Sequence, residues 1–140
     1  GGTVKIISCD IHGNTGLLGG GGIHSQAETL ELTSCDISNN TSMVAGGGVS
    51  ALGGTITMTD CNLIGNEATY SYGGAIGASR STITMNNCKI TGNRAPQSNG
   101  GGIALINSAS VTATSCDISL NTASASDDVY FDNNSTYTAN

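Results

Sequence analysis

Residues 55–66 read Thr-Ile-Thr-Met-Thr-Asp-Cys-Asn-Leu-Ile-Gly-Asn, and residues 73–76 follow with Gly-Gly-Ala-Ile. Ile56 and Met58 alternate with threonines, which is the period of a strand with one buried face. The frame then returns along the chain. Its cysteines are Cys9, Cys35, Cys61, Cys88 and Cys116, at spacings of 26, 26, 27 and 28 residues. Asn14, Asn40, Asn66, Asn93 and Asn121 each stand five residues past a cysteine, and Ile11, Ile37, Leu63, Ile90 and Ile118 two past it. Five residues ahead of each cysteine lie Val4, Leu30, Ile56, Ile83 and Val111; three ahead lie Ile6, Leu32, Met58, Met85 and Ala113. Glycine clusters ending on an aliphatic, at 20–23, 46–49, 73–76 and 100–103, complete the unit, and the fifth copy decays to Asp127-Asp128-Val129.

Short strands recurring at this period predict an all-β chain: a right-handed, single-stranded parallel β-helix (β-solenoid). It would have about five coils of 26–28 residues and three short strands per coil, with like positions stacked ~4.8 Å apart. Right-handedness follows from the strong preference of parallel crossovers. An antiparallel sandwich would need hairpin turns at regular spacing, and a leucine-rich repeat several leucines per unit. The chain 1–140 reads as one domain. The interval from cysteine to asparagine is always five residues, whereas asparagine to the glycine-cluster aliphatic runs 9, 9, 10, 10 and 8. Variation is thus confined to one corner, read as an outward loop that includes Glu67–Tyr72 and Ala95–Asn99. Gly1-Gly2-Thr3 matches Gly53-Gly54-Thr55 in phase, Asn140 falls just before another cysteine is due, and neither end shows a polar cap. The chain therefore reads as a segment of a longer solenoid or a subunit that stacks end to end through bare β edges.

Composition narrows function. Four Lys+Arg stand against ten Asp+Glu, a net charge of −6, with 21 Gly, one Pro and no Trp. Four scattered cations make no surface for phosphate backbones, so nucleic acid is excluded as a partner. No apolar run approaches the ~20 residues of a membrane span, and residues 1–20 lack a secretion-signal pattern.

The asparagine row is expected to form a structural ladder, its amides bonding from coil to coil and its backbone supplying the left-handed turn of a sharp corner. The cysteines should point inward as reduced, inaccessible thiols. Stacking brings them within disulfide reach, but in-register side chains point alike and disfavour the required dihedral. No Cys-x-x-Cys spacing or histidine partner argues for a metal, since His12 and His24 fall in loops or on outer faces. One residue past each cysteine, Asp10 and Asp36 would stack outward and repel unless a cation screens them, so weak Ca2+ binding there is the one ligand expectation. No catalytic residues are expected. Arg80 and Arg94 lie in variable stretches, and Asp127 and Asp128 are adjacent and face opposite ways, unlike the carboxyl pair of a glycosidase.

Threonine is the remaining signal. Outward positions six, four and two residues before each cysteine place Thr55, Thr57, Thr59, Thr82, Thr84, Thr112 and Thr114 on one face. Strand propensity alone explains threonine on a solvated sheet. A flat Thr-x-Thr face could also organise water as an ice-binding surface does, while Lys5, Ile7 and Glu31 interrupt it in the first two copies.

The Gly-Gly-Ala-Ile of 73–76, its Gly-Gly-Gly-Ile/Val relatives and the aliphatic-x-x-Asn signal resemble the repeats of polymorphic outer membrane proteins, autotransporter adhesins of bacterial surfaces. The resemblance spans essentially the whole chain, with Ile or Leu where that family has Phe. It implies a non-enzymatic extracellular or cell-surface solenoid, acting as an adhesin segment or a structural, filament-forming element. The implied partners are its own flanking repeats or further copies, and a host surface or glycan. Ice binding is the alternative.

Overall fold

The computed structural model describes residues 2–26 and 28–140; Gly1, the first residue of the Gly-Gly-Thr start, and Ala27 lie outside them. The chain winds as a solenoid in which each strand pairs in parallel with its counterparts in the adjacent coils, the strands at the two ends having one neighbour only. The first sheet stacks Thr3–Ile7, Thr29–Thr33, Thr55–Thr59, Thr82–Asn86, Ser110–Thr114 and Thr136–Ala139. The second stacks Asp10–His12, Asp36–Ser38, Asn62–Ile64, Lys89–Thr91 and Asp117–Ser119. Thr15–Gly16, Thr41–Ser42, Glu67–Ala68, Arg94–Asn99 and Thr122–Ala125 make the third, and Ile23–Ser25, Val49–Leu52, Ile76–Ser79, Ile103–Ile106 and Val129–Phe131 the fourth.

Each coil thus has four strands, not the three expected. The third sheet was missed because its strands are as short as two residues, too few to show any period. Part of the expected outward loop is consequently strand: Glu67–Ala68 is paired, and Ala95–Asn99 lies wholly within the strand Arg94–Asn99, whose register shifts between Ala95 and Asn99. Elsewhere the register matches the repeat. Leu30, Ile56, Ile83 and Val111 stack on one another, as do Leu32, Met58, Met85 and Ala113. With Ile37, Leu63 and Ile90 from the second sheet and Val49, Ile76 and Ile103 from the fourth, they are almost wholly buried. At about 1.5–3 kcal/mol per fully buried aliphatic side chain, this column supplies the main driving force of the fold.

Of the rows of left-handed residues that turn the coil, two flank the second sheet. Ser8, Ser34, Asp60, Asn87 and Ser115 have φ of 52–54° immediately before the cysteines. Gly13 (66°), Asn39 (52°), Gly65 (68°), Gly92 (66°) and Leu120 (60°) stand immediately before the ladder asparagines. The left-handed turn therefore belongs to the preceding residue and not, as expected, to the asparagine, whose side chain is engaged elsewhere. Leu120 departs from its row chemically. A left-handed L residue costs about 1–2 kcal/mol, and this one leaves its side chain 81% exposed. Leu120→Gly removes the strain at a cost of about 0.5–1 kcal/mol in unfolded-chain entropy. Urea unfolding should show a gain approaching about 1 kcal/mol; a loss would mean that the corner is not left-handed in solution.

The glycine clusters answer to close approach. A Cβ on Gly74 would meet Arg94 O at 2.5 Å and Arg94 N at 2.6 Å, and one on Gly21 would meet Thr41 O at 2.6 Å. The outgoing third strand of one coil and the returning glycines of its neighbour are pressed together backbone to backbone. The corner loop leaves the body of the solenoid through this neck.

Candidate functional site

The asparagine row is a directional hydrogen-bond ladder. Asn40, Asn66, Asn93 and Asn121 are buried. The backbone N–H of Asn40 donates to Asn66 Oδ1 (3.1 Å) and its Nδ2 to the same oxygen (3.0 Å). Asn66 does the same to Asn93 at 2.8 and 3.0 Å, and Asn93 to Asn121 at 3.0 and 2.9 Å. The second Nδ2 proton reaches one coil back: Asn66 to Ile37 O at 2.8 Å, and Asn93 to Leu63 O at 2.9 Å. Asn14 joins from the first coil, its N and Nδ2 each donating to Asn40 Oδ1 at 3.0 Å. Among the described residues no buried side-chain N or O atom lacks a partner.

The ladder closes on a carboxylate. Asn121 N and Nδ2 donate to Asp128 Oδ1 at 3.1 and 2.9 Å, in the role that the next asparagine plays elsewhere. Asp127 Oδ1 accepts from Ala123 N at 2.9 Å, and Asp132 Oδ2 from Asn107 N at 2.9 Å. The Ser135 hydroxyl, followed by the Asn107 N–H, holds the exposed Asp132 carboxyl below its usual range. At the asparagine corner of the last coil the closure is thus polar, a feature the sequence reading did not foresee. Asp127 and Asp128 replace glycines of the cluster and use their side chains to satisfy backbone and amide donors.

The cysteines stack in line, all as free thiols, but they are not uniformly hidden. Cys35, Cys61 and Cys88 are buried, Cys116 is partly so, and Cys9 is exposed, because the first and last coils are covered on one side only. Each buried thiol donates to the carbonyl two residues back, at 3.3 Å, and one coil back: Cys35 to Ile6 O at 3.4 Å and Cys61 to Leu32 O at 3.5 Å. Burial pushes the Cys35 thiol up; contact with the Cys61 sulfur, then burial, keeps the proton on Cys88. The column is core packing with weak donors.

The threonine face is the outer side of the first sheet. Thr55, Thr82, Ser110 and Thr136 share one row, and Thr57, Thr84, Thr112 and Thr138 the next. Thr59, Asn86 and Thr114 form a third row. The sixth strand thus adds Thr136 and Thr138 to the face read from the sequence. Lys5 and Glu31, which interrupt it, are register partners and form an exposed ion pair at 2.9 Å, an arrangement worth under about 1 kcal/mol.

Asp10 and Asp36 are register partners as expected. Asn62 Nδ2 donates to Asp36 Oδ1 at 2.7 Å, and His12 Nε2 lies 4.0 Å from Asp10 Oδ2. With Ser38 and Ile64 the two aspartates and Asn62 line an open surface hollow. Ca2+ prefers six to eight oxygens, so two carboxylates would leave most of its shell to water. No group of three or more His, Cys, Asp or Glu stands close enough to hold a metal among the described residues. Arg94 lies 3.3 Å from Glu67 on the third sheet.

Absent from the sequence reading is an apolar ridge on the corner loops. Leu17 and Leu18 are 65% and 89% exposed, Met43 and Val44 38% and 41%, and Tyr70 57%. Their rungs are joined through Met43 N to Gly16 O (3.0 Å) and Thr69 N to Ser42 O (2.8 Å). The signal was present in the sequence, at eight and nine residues past Cys9, Cys35 and Cys61, within the stretch read as a variable loop.

Among the described residues no helix is long and apolar enough to cross a membrane. Comparison with curated proteins found no match, and comparison with solved structures found none. A family model described as the right handed beta helix region matches residues 22–140. Parallel, in-register coils along the chain and a match over most of its length lead to one assignment: this chain belongs to the right-handed beta helix family.

Proposed function

We propose that the chain is a non-catalytic segment of an extracellular or cell-surface solenoid, serving as an adhesive or structural element. The family spans surface proteins and some enzymes. The observation that carries the reading is the uniform use of positions. The first four coils commit the same sites to core, ladder, corner and glycine neck, and the fifth departs only where Asp127 and Asp128 replace the glycines; side faces and corner loops are left free to vary. That division suits a rigid scaffold presenting surfaces along its length. The charged residues fit it too: Lys5 pairs with Glu31, Arg94 with Glu67, and Asp127, Asp128 and Asp132 bond to donors of their own chain. The resemblance to surface adhesin repeats points the same way, and Ca2+ held weakly at Asp10 and Asp36 would belong to such a surface. The fluorescent chain should bind saturably to arrayed glycans or matrix proteins without turning them over. Hydrolysis or cleavage of any arrayed polysaccharide overturns the proposal.

A second reading, ice binding, is favoured by one observation: threonines in register across the strands from Thr55 to Thr138, spaced ~6.6 Å along each strand and ~4.8 Å between coils. It predicts inhibition of ice recrystallisation that Thr84→Lys abolishes without changing the unfolding midpoint. Equal inhibition by both proteins, or none by either, removes this reading.

A further inference from the structure

The corner ridge has no task in the fold, and its charge pattern says what it fits. We propose that it is a self-association surface on which two copies of this chain pair side by side, antiparallel, about a two-fold axis at the second coil. This goes beyond the role proposed above and rests on the ridge alone.

Soluble proteins rarely expose contiguous apolar surface without a partner. Here Leu17, Leu18, Met43, Val44 and Tyr70 project from three successive coils in one line along the solenoid. The occupant is argued from charge. Residues 13–26, 37–59 and 68–79 contain no Asp, Glu, Lys or Arg, so the ridge is uncharged, while the chain carries −6 elsewhere. The flanking Glu67 is already matched by Arg94 at 3.3 Å. A surface with neither sign of charge offers no hold to an ionic partner or to anionic lipid headgroups. It is, however, the region where two chains of charge −6 approach with least repulsion.

The ridge also fits itself. Its two rows run Leu17, Met43, Thr69 and Leu18, Val44, Tyr70, one member per coil. Under an isologous two-fold, Val44 meets Val44 at the axis, and Leu18 of one copy meets Tyr70 of the other on both sides. Five side chains per copy cover less than the ~800 Å² per partner of a standard interface, so the dimer is weak, in the micromolar range. In the fourth and fifth coils the corresponding positions lie in the strands Arg94–Asn99 and Thr122–Ala125 and carry Pro96, Gln97 and Ser98, then Ser124 and Ala125, which limits the ridge to three coils.

Sedimentation velocity across the micromolar range should show a reversible monomer–dimer equilibrium. Leu18→Lys, at a site 89% exposed and checked for an unchanged circular dichroism spectrum, should weaken the dimer at least about tenfold. The double variant Leu18→Lys/Tyr70→Glu should restore it to within about threefold, because antiparallel pairing forms two reciprocal ion pairs between the copies. A monomer at every concentration overturns the proposal. So does a dimer indifferent to Leu18→Lys, growth beyond the dimer by end stacking, or a monomer that floats with phosphatidylcholine vesicles.

Discussion

Gly74→Ala should abolish cooperative folding or cost more than about 4 kcal/mol, while Gly92→Ala costs only about 1 kcal/mol. The contrast separates two reasons for glycine. Gly92 has φ +66° with nothing within 4 Å of where a methyl would stand, so alanine there meets only the left-handed penalty. At Gly74 the added methyl meets the Gly101 carbonyl oxygen in the next coil, Arg94 O at 2.5 Å and Arg94 N at 2.6 Å. All three are backbone atoms in the hydrogen-bonded stack of coils: Gly74 N donates to Gly100 O at 2.9 Å, and Arg94 N to Asn66 O at 2.9 Å. None can yield without opening the neck, and the same clash is built into Gly47 and Gly101. Against a total stability of about 5–15 kcal/mol, such a loss leaves little folded protein at room temperature. Urea unfolding followed by circular dichroism measures both variants. A Gly74→Ala protein within about 1.5 kcal/mol of the parent would mean that the two backbones are not in contact.

Asn66→Ala should cost about 3 kcal/mol. It strips the acceptor from Asn40 N and Nδ2 and the donor from Ile37 O, all inside the corner, and each orphaned buried group carries a penalty of about 1–3 kcal/mol. Asn66→Asp gives the ladder a sign. The carboxylate still accepts from Asn40, but it now faces Ile37 O and Asn93 Oδ1 with no proton to donate. Burial and those oxygens favour the protonated form, so the folded pKa rises above the unfolded value of about 3.9. Stability is then retained at acid pH and lost as pH climbs from the unfolded pKa through the folded one. The variant should fall further below the parent at pH 7 than at pH 3.5, by about 2 kcal/mol or more. A penalty under about 0.5 kcal/mol for Asn66→Ala, or no pH dependence for the aspartate, would show that solvent satisfies the ladder.

The repeat made most of this legible. Cysteine, aliphatic and asparagine recur at fixed offsets because each is the inward residue of a rung, and a register error would expose the whole core face. The strand before each cysteine carried its own two-residue period. The third sheet carried none: Thr15–Gly16 and Thr41–Ser42 are two residues long, and only their ladder partners identify them as strands. The closing role of Asp128 was hidden for a related reason. In sequence it breaks the glycine pattern, whereas in space it stands beside Asn121, seven residues away, and completes the asparagine row. The apolar ridge was in the repeat all along, since Leu18, Val44 and Tyr70 each stand nine residues past a cysteine; it was passed over because that corner reads as a variable outward loop, and exposure shows only in the folded chain.

The central claim is that consecutive coils stack in parallel and in register, with each ladder asparagine against the next. Inter-strand nuclear Overhauser effects on uniformly labelled protein test it most directly. Thr84 should show parallel-sheet contacts to both Thr57 and Thr112, and the Asn66 side-chain amide should lie next to that of Asn93. Close Hα–Hα contacts between strands, the mark of antiparallel pairing, or an Asn66 amide remote from Asn93, would contradict it.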